Sequence, residues 1–468
     1  MLLKNTQEVL SLSANVEDKK SFQNNFRISV INFIEIFYFY IMKTAEIFDQ
    51  FLKSKIVTTD TRNITKNCLF FALKGANFNG NTFAQEAINQ GAMMAIVDGK
   101  EFENKEQNIF LVENALESLQ DLARTYRNYL KIPFIGLTGS NGKTTTKELI
   151  SAVLKEKFKT HYTFGNLNNH IGVPLTILSI PEDTEIAVIE MGANHQKEIE
   201  LLVSISQPDF GYITNFGKAH LEGFGGIEGV IKGKSELYDY LRTNHRTAFV
   251  NFNDTIQVEK TADIKRISFS DQHNADYQIE LIEDLKNEYL AVNFQDFTIQ
   301  SHLTGNYNFS NISCAIAMGA HFGIDAESIK NGIENYFPSN NRSQIINKEN
   351  YKIVMDAYNA NPSSMEASLN NFAKFEGSKT IIIGDMFELG EESKAEHQRI
   401  LEIAEKLNFD QIFILGHHFI ETSTTNPKVI KFSERSIFED YLKNNPIQSK
   451  NILVKGSHGM RLDLLDFN

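Results

Sequence analysis

Short apolar runs separated by helical periodicity organise most of this chain. Pro133 to Leu137 leads into a pattern that puts Leu149, Ile150, Val153, Leu154 and Phe158 on one helical face. Glu185 to Ile189 and Phe210 to Ile213 repeat the strand signal. A second set follows in Ile353-Val354-Met355, Ile381-Ile382-Ile383, Ile412 to Leu415 and Ile452-Leu453-Val454. Runs that are apolar at nearly every position belong to strands buried on both faces, as in parallel sheets with crossover helices. The pattern predicts an α/β protein in three blocks: a small mixed one over 42–131, a central one over 132–337 and a third over 338–468. At roughly 150 residues per domain, a chain of 468 residues also suggests about three.

Residues 1–41 do not share this pattern. They are polar and irregular up to residue 26, then rich in Ile, Phe and Tyr from Ile28 to Ile41. That stretch falls short of the roughly 20 residues a membrane span needs, and Asn32 and Glu35 interrupt it. No small-residue cleavage site follows. The expectation is an extension outside the fold, with no stable membrane insertion, and a folded region that starts at Met42.

The segment after Leu137 carries the first chemistry. Thr138-Gly139-Ser140-Asn141-Gly142-Lys143-Thr144-Thr145 joins a predicted strand to a predicted helix. Glycines let backbone N–H groups approach a phosphate, the helix N-terminus adds partial positive charge and Lys143 adds a full one. Thr144 then offers a hydroxyl to a phosphate-bound Mg²⁺. The spacing departs from the strict phosphate-loop pattern, because five residues rather than four separate Gly136 from Gly142. Polar residues also gather just after the apolar runs: Glu190, Asn215 and His220, Asp356, Asp385 and Lys455. Singly, each could be a helix cap or a turn residue. Together they occupy the strand ends where open α/β sheets bind ligands.

Composition narrows the partners. Hydrophobic residues make up 42% and charged ones 22%, as in a globular protein, and the formal charge of −13 argues against general binding to nucleic acid or membrane surfaces. An anionic small molecule remains compatible if basic groups are concentrated locally. The two cysteines, Cys68 and Cys314, are too few for a disulfide framework and read as buried apolar residues in a reducing compartment.

Six segments, in order, resemble the ATP-dependent Mur ligases, which form amide bonds in peptidoglycan precursor synthesis. They are Thr138 to Thr144, Gly165-Asn166-Leu167-Asn168-Asn169-His170-Ile171-Gly172-Val173-Pro174, Glu190-Met191-Gly192-Ala193-Asn194-His195, Ala219 to Phe224, Asp356-Ala357-Tyr358-Asn359-Ala360-Asn361-Pro362-Ser363-Ser364 and Gly384 to Gly390. The resemblance covers nearly everything from Met42 onward. It implies a small UDP-binding α/β domain, a central phosphate-loop ATPase-like sheet and a Rossmann-like C-terminal domain. The Tyr358-Asn359-Ala360-Asn361-Pro362 block is similar to the branch that adds D-alanyl-D-alanine to UDP-N-acetylmuramoyl-tripeptide. The Asp-Asn-Pro-Arg motif of the diaminopimelate- or lysine-adding branch is absent from the sequence.

By this resemblance Gly139, Ser140, Asn141, Gly142, Lys143, Thr144 and Thr145 bind the ATP phosphates, Asn311 the adenine, Arg342 the γ-phosphate region and Asp356 the ribose. Thr144 and Glu190 are expected to hold one Mg²⁺, and His220 to help hold a second. Lys234, rather than its neighbour Lys232, is expected to be carbamylated, because an ammonium beside two Mg²⁺ would be repelled whereas a carbamate would not. Lys143, His220 and Lys234 are thus the expected catalytic set. Thr61 and Arg62, where the family usually has Ser-Arg, are expected to contact the UDP end with Asn79 and Gly80. Asn359, Asn361 and Ser364 are expected to contact the dipeptide. The ends Gly384-Asp385 and Lys455-Gly456-Ser457 are read as structural. Closure of the third domain would complete the site and exclude water. A cytoplasmic monomer is expected. Two alternatives stay open: a relative adding another amine, such as folylpolyglutamate synthase, and a nucleotide-binding regulator without catalysis.

Overall fold

The computed structural model describes residues 44–272, 274–282, 288–339 and 341–467; the expected extension over 1–41 lies outside them. The chain forms two compact units, the first ending at Tyr126 and the second beginning at Arg127. In the first unit, four short parallel strands pair in the order Val57–Thr58, Leu69–Phe71, Met94–Val97 and Ile109–Leu111. The apolar run Leu69 to Ala72 is wholly buried there, and Cys68 is buried beside it.

The second unit contains both expected alternating sets. Its first sheet has seven parallel strands in the order Tyr277–Gln278, Lys265–Ser270, Thr247–Asn251, Phe210–Ile213, Phe134–Thr138, Ile186–Glu190 and Thr160–Tyr162. The helix Lys143–Lys155 packs behind it with Leu149, Ile150, Val153 and Leu154 fully buried and Phe158 partly so. Burying each such side chain contributes about 1.5–3 kcal/mol, so this face anchors the start of the helix, where the phosphate loop sits. Cys314 is buried in the same core, on the helix Phe309–His321.

The second sheet runs Gln344–Asn347, Lys352–Asp356, Asn451–Lys455, Lys379–Gly384, Gln411–Leu415 and Val429–Phe432, with only the first pair antiparallel. In chain order between the two comes a three-stranded antiparallel sheet, Glu280–Ile282, Ala291–Phe294 and Phe297–Gln300, that the apolar runs did not announce. Its strands are short and only half-buried at several positions, so their local signal is weak. Among the described residues, no helix is long and apolar enough to cross a membrane.

Candidate active site

A cavity of about 1120 Å³ opens in the second unit at the carboxyl ends of both large sheets. Its lining includes Ser140 to Thr145, Glu190, His220, Asn311, Arg342, Asp356, Asn359, Asn361 and Ser364. Of the residues expected in this unit, Gly139 and Lys234 are not on the wall.

The phosphate loop has its conformation because two glycines permit it. Gly139 has φ of 143°, and a Cβ there would stand 2.0 Å from the Thr214 hydroxyl; Gly142 has φ of 79° and lies against Asn311. Asn215 supports the loop from the neighbouring strand end, accepting from the Asn141 N–H at 3.0 Å and donating to its carbonyl at 2.9 Å. Lys143 donates to the carbonyls of Gly139 (2.8 Å) and Ser140 (3.1 Å) while part of its surface stays open to the cavity. Desolvation pulls its pKa down to about 8; Glu190 opposes this and Arg342 adds to it.

Glu190 ends its strand in register with Leu137 of the neighbouring strand, and only 1% of it is exposed. Its Oε1 accepts from the Thr144 hydroxyl at 3.2 Å and from Asn168 Nδ2 at 2.8 Å. Among the described residues its Oε2 has no hydrogen-bond partner, and the buried ammonium of Lys147 stands 3.8 Å away. A buried carboxylate oxygen left this way beside a threonine hydroxyl is the oxygen donor set that Mg²⁺ favours, so these residues fit the ion. Lys147 and Asn168 were not singled out in the sequence. Lys147 lies one helical turn beyond Lys143, and Asn168 lies within the Gly165–Pro174 segment.

The second sheet supplies the opposite wall. Asp356 and Lys455 are register partners on adjacent strands, and the lysine ammonium bonds the carboxylate at 2.6 Å. The other carboxylate oxygen accepts from the Ser343 N–H at 3.1 Å. Lys455 lines the cavity at its strand end. Asp385 accepts from the N–H groups of His418 and Phe419. The Arg342 guanidinium lies 3.6 Å from the centre of the Tyr358 ring, with its Nε buried and, among the described residues, without a hydrogen bond. Asn361 caps the helix Pro362–Phe372 through Ser364 and also reaches the phosphate loop at Asn141. Asn359 bonds the N–H of Ala360. Asn311, from the central core, accepts from Thr146 and donates to Asn308.

His220 bonds Glu388 through Nδ1, which links the loops after the two sheets, and the pair holds the Glu388 carboxyl below its ordinary range. Lys234 is fully buried behind the wall. Its amine donates to the Ala193 carbonyl at 2.9 Å and lies 4.9 Å from the Phe224 ring centre. Burial pushes its pKa well down, the Lys143 charge adds to this, and Glu198 and Glu236 oppose it.

Thr61, Arg62, Asn79 and Gly80 belong to the first unit. Arg62 is 86% exposed and paired with Asp60 at 2.7 Å. Asn79 caps the turn that follows by accepting from the Asn81 N–H at 3.2 Å. At Gly80 a Cβ would meet the Leu73 carbonyl oxygen at 2.5 Å.

A phosphate loop, a buried carboxylate suited to Mg²⁺ and a second basic wall facing them define an ATP-using enzyme built on two α/β sheets. Comparison with known proteins narrows the class. Residues 137–319 match the Mur ligase middle domain, 341–457 the Mur ligase glutamate ligase domain and 53–127 the Mur ligase family catalytic domain. The chain is 34% identical over 419 residues to the UDP-N-acetylmuramoyl-tripeptide--D-alanyl-D-alanine ligase of Bacillus subtilis strain 168, covering 87% of this chain and 91% of that protein. The crystal structure of MurF from Acinetobacter baumannii superposes with a TM-score of 0.79 at 30% identity, covering 88% of this chain and 92% of that one. MurF ligase from Thermotoga maritima in complex with ADP gives 0.78 at 27%, covering 88% and 96%. The chain belongs to the Mur ligase family.

Proposed function

We propose that this enzyme joins D-alanyl-D-alanine to UDP-N-acetylmuramoyl-tripeptide at the expense of ATP. The observation that carries the reading is the facing of Lys143, Thr144 and Glu190 by Arg342 and Asn361 across one cavity. The named relatives support the choice of substrates, and the ADP complex of the Thermotoga protein supports the nucleotide.

A carboxylate carbon is a poor electrophile, so it must be activated. The bond from the γ-phosphorus to the ADP oxygen breaks as a bond to a substrate carboxylate oxygen forms. The dipeptide nitrogen then attacks the carbonyl carbon, inorganic phosphate leaves and the amine protons lost pass to water. Triphosphate, carboxylate and developing oxyanion all bring negative charge, so positive groups fixed beforehand do most of the work. Lys143 and the N-terminus of its helix bind the β- and γ-phosphates, Arg342 faces the γ-phosphate, Asn311 the adenine and Asp356 the ribose. Thr144 and Glu190 would hold Mg²⁺, with His220 toward a second ion; bound there, the metal offsets phosphate charge. Thr61, Arg62, Asn79 and Gly80 serve the UDP end, and Asn359 and Ser364 the dipeptide.

Lys234 is proposed to carry a carbamate. Its depressed pKa leaves the amine neutral, the form that adds CO₂: one N–C bond forms and one proton goes to water. Intact-mass analysis in bicarbonate buffer should show an increment of one CO₂ that Lys234→Ala removes.

The reading is tested by phosphate release with ATP, UDP-N-acetylmuramoyl-tripeptide in its lysine and diaminopimelate forms, and D-alanyl-D-alanine. Release should need all three substrates and yield the pentapeptide product. Release that ignores the dipeptide, or that prefers a single amino acid in its place, would overturn it.

A further inference from the structure

Glu388 lies on the loop between the strand Lys379–Gly384 and the helix Ser393–Lys406, and it lines the cavity. Two bonds fix this loop: the Met386 N–H donates to His397 Nε2 and the Phe387 N–H to the Ser457 hydroxyl, each at 3.0 Å. Glu388 has φ of 63° and its partner His220 φ of 54°. Left-handed backbone at a non-glycine residue costs on the order of 1 kcal/mol and persists where the surroundings impose it. Two such residues facing each other aim their side chains at one place.

Five carboxylates line the cavity, and four are committed. Glu190 serves the Thr144 cluster, Asp356 bonds Lys455, Glu198 accepts from the N–H groups of Asn194 and His195, and Asp254 caps its own helix. Glu388 differs. Among the described residues its side chain bonds only His220, through one oxygen, and it remains 54% exposed. Lys143, Arg342 and Lys455 on the cavity wall suit the anionic reactants. The amine reactant arrives as an ammonium, since an α-amino group titrates at about 8.

We infer that Glu388 is the substrate-binding residue that holds the ammonium of the incoming amine, with His220 orienting its carboxylate. This rests on the ligase reading above and deepens it. Glu388 selects a cationic acceptor and places it on the second-sheet side of the carboxylate to be activated.

The test compares two nucleophiles on the full-length enzyme with ATP and the UDP-tripeptide. D-Alanyl-D-alanine must be captured as a cation, whereas hydroxylamine is uncharged near neutral pH and traps the activated carboxylate as a hydroxamate. Glu388→Gln should raise the dipeptide KM about tenfold and lower the ratio of dipeptide to hydroxamate product by about the same factor, with the ATP KM moving less than about twofold. Glu388→Asp, which keeps the charge, should recover part of the ratio. A proportional loss of both products would show that Glu388 only supports the fold or the metal cluster, and an unchanged ratio would show that it does not touch the amine; either result overturns the inference. If the wild type forms hydroxamate but never the dipeptide product, the proposed function falls instead.

Discussion

Asn361 Nδ2 donates to Asn141 Oδ1 at 2.6 Å, so the residue that caps a helix of the second sheet also holds the phosphate loop of the first. Oδ1 of the same side chain accepts from the Ser364 N–H at 3.0 Å. One side chain thus does two jobs that substitution can separate.

Asn361→Ala should cost about 1 kcal/mol from the lost cap and weaken nucleotide binding as well. Asn361→Asp keeps a capping oxygen but has no donor for Asn141. It should unfold within a few degrees of wild type while binding ADP more weakly. Thermal unfolding and calorimetry on both variants check this, and wild-type ADP affinity in Asn361→Asp would remove the link its role.

Lys143 links affinity to pH. Its pKa of about 8 means that the ammonium is mostly present at neutral pH and is lost as pH rises through that value. A bound triphosphate favours the charged form, so binding should take up a proton above pH 8 and weaken by at most about tenfold per pH unit. Calorimetry in buffers of different ionisation enthalpy measures the uptake. Lys143→Met should abolish the uptake and lower kcat/KM on the order of 100-fold or more.

Glu190 and Lys147 predict a coupled effect of metal and stability. Chelation with EDTA should stop turnover, and Mg²⁺ should restore it. Glu190→Gln should lose the Mg²⁺-dependent part of nucleotide affinity and remove one of the two carboxylates beside the buried Lys147 ammonium, Glu148 at 3.7 Å being the other, at a cost below the roughly 3–5 kcal/mol of a fully stranded buried charge. Adding Lys147→Met should recover much of that stability but not the metal response. Urea unfolding of the single and double variants decides, and purely additive losses would contradict the coupling.

His397 predicts acid sensitivity of the second sheet. It is fully buried, donates from Nδ1 to the Ser393 carbonyl and accepts at Nε2 from the Met386 N–H, so the folded state needs the neutral ring. Burial lowers its pKa and His418 adds to this, while the Ser393 bond, Asp385 and Glu396 oppose it. The folded chain therefore binds fewer protons than the unfolded chain below the ordinary histidine value of about 6.5, and stability should fall as pH drops through it, by at most about 1.4 kcal/mol per unit. His397→Gln should flatten the slope of stability between neutral pH and pH 5; an unchanged slope would assign the effect elsewhere.

Apolar runs alone marked three of the seven strands of the first large sheet, four of the six of the second and the buried face of the helix Lys143–Lys155, because strands covered on both sides must be apolar at successive positions. They also marked Glu190, Asp356 and Lys455, since a polar residue that closes such a run stands at the ligand-binding edge. The short antiparallel sheet was not legible, because half-buried three- and four-residue strands carry little pattern. Nor were the partnerships. Asn141 meets Asn361 across 220 positions and His220 meets Glu388 across 168. Lys147 turns out to be a counter-ion shared by Glu190 and Glu148, and Lys234 to stand behind the wall rather than on it. Local sequence decides which side chains are buried, but contacts between them depend on how separate sheets pack, and only the tertiary structure decided that.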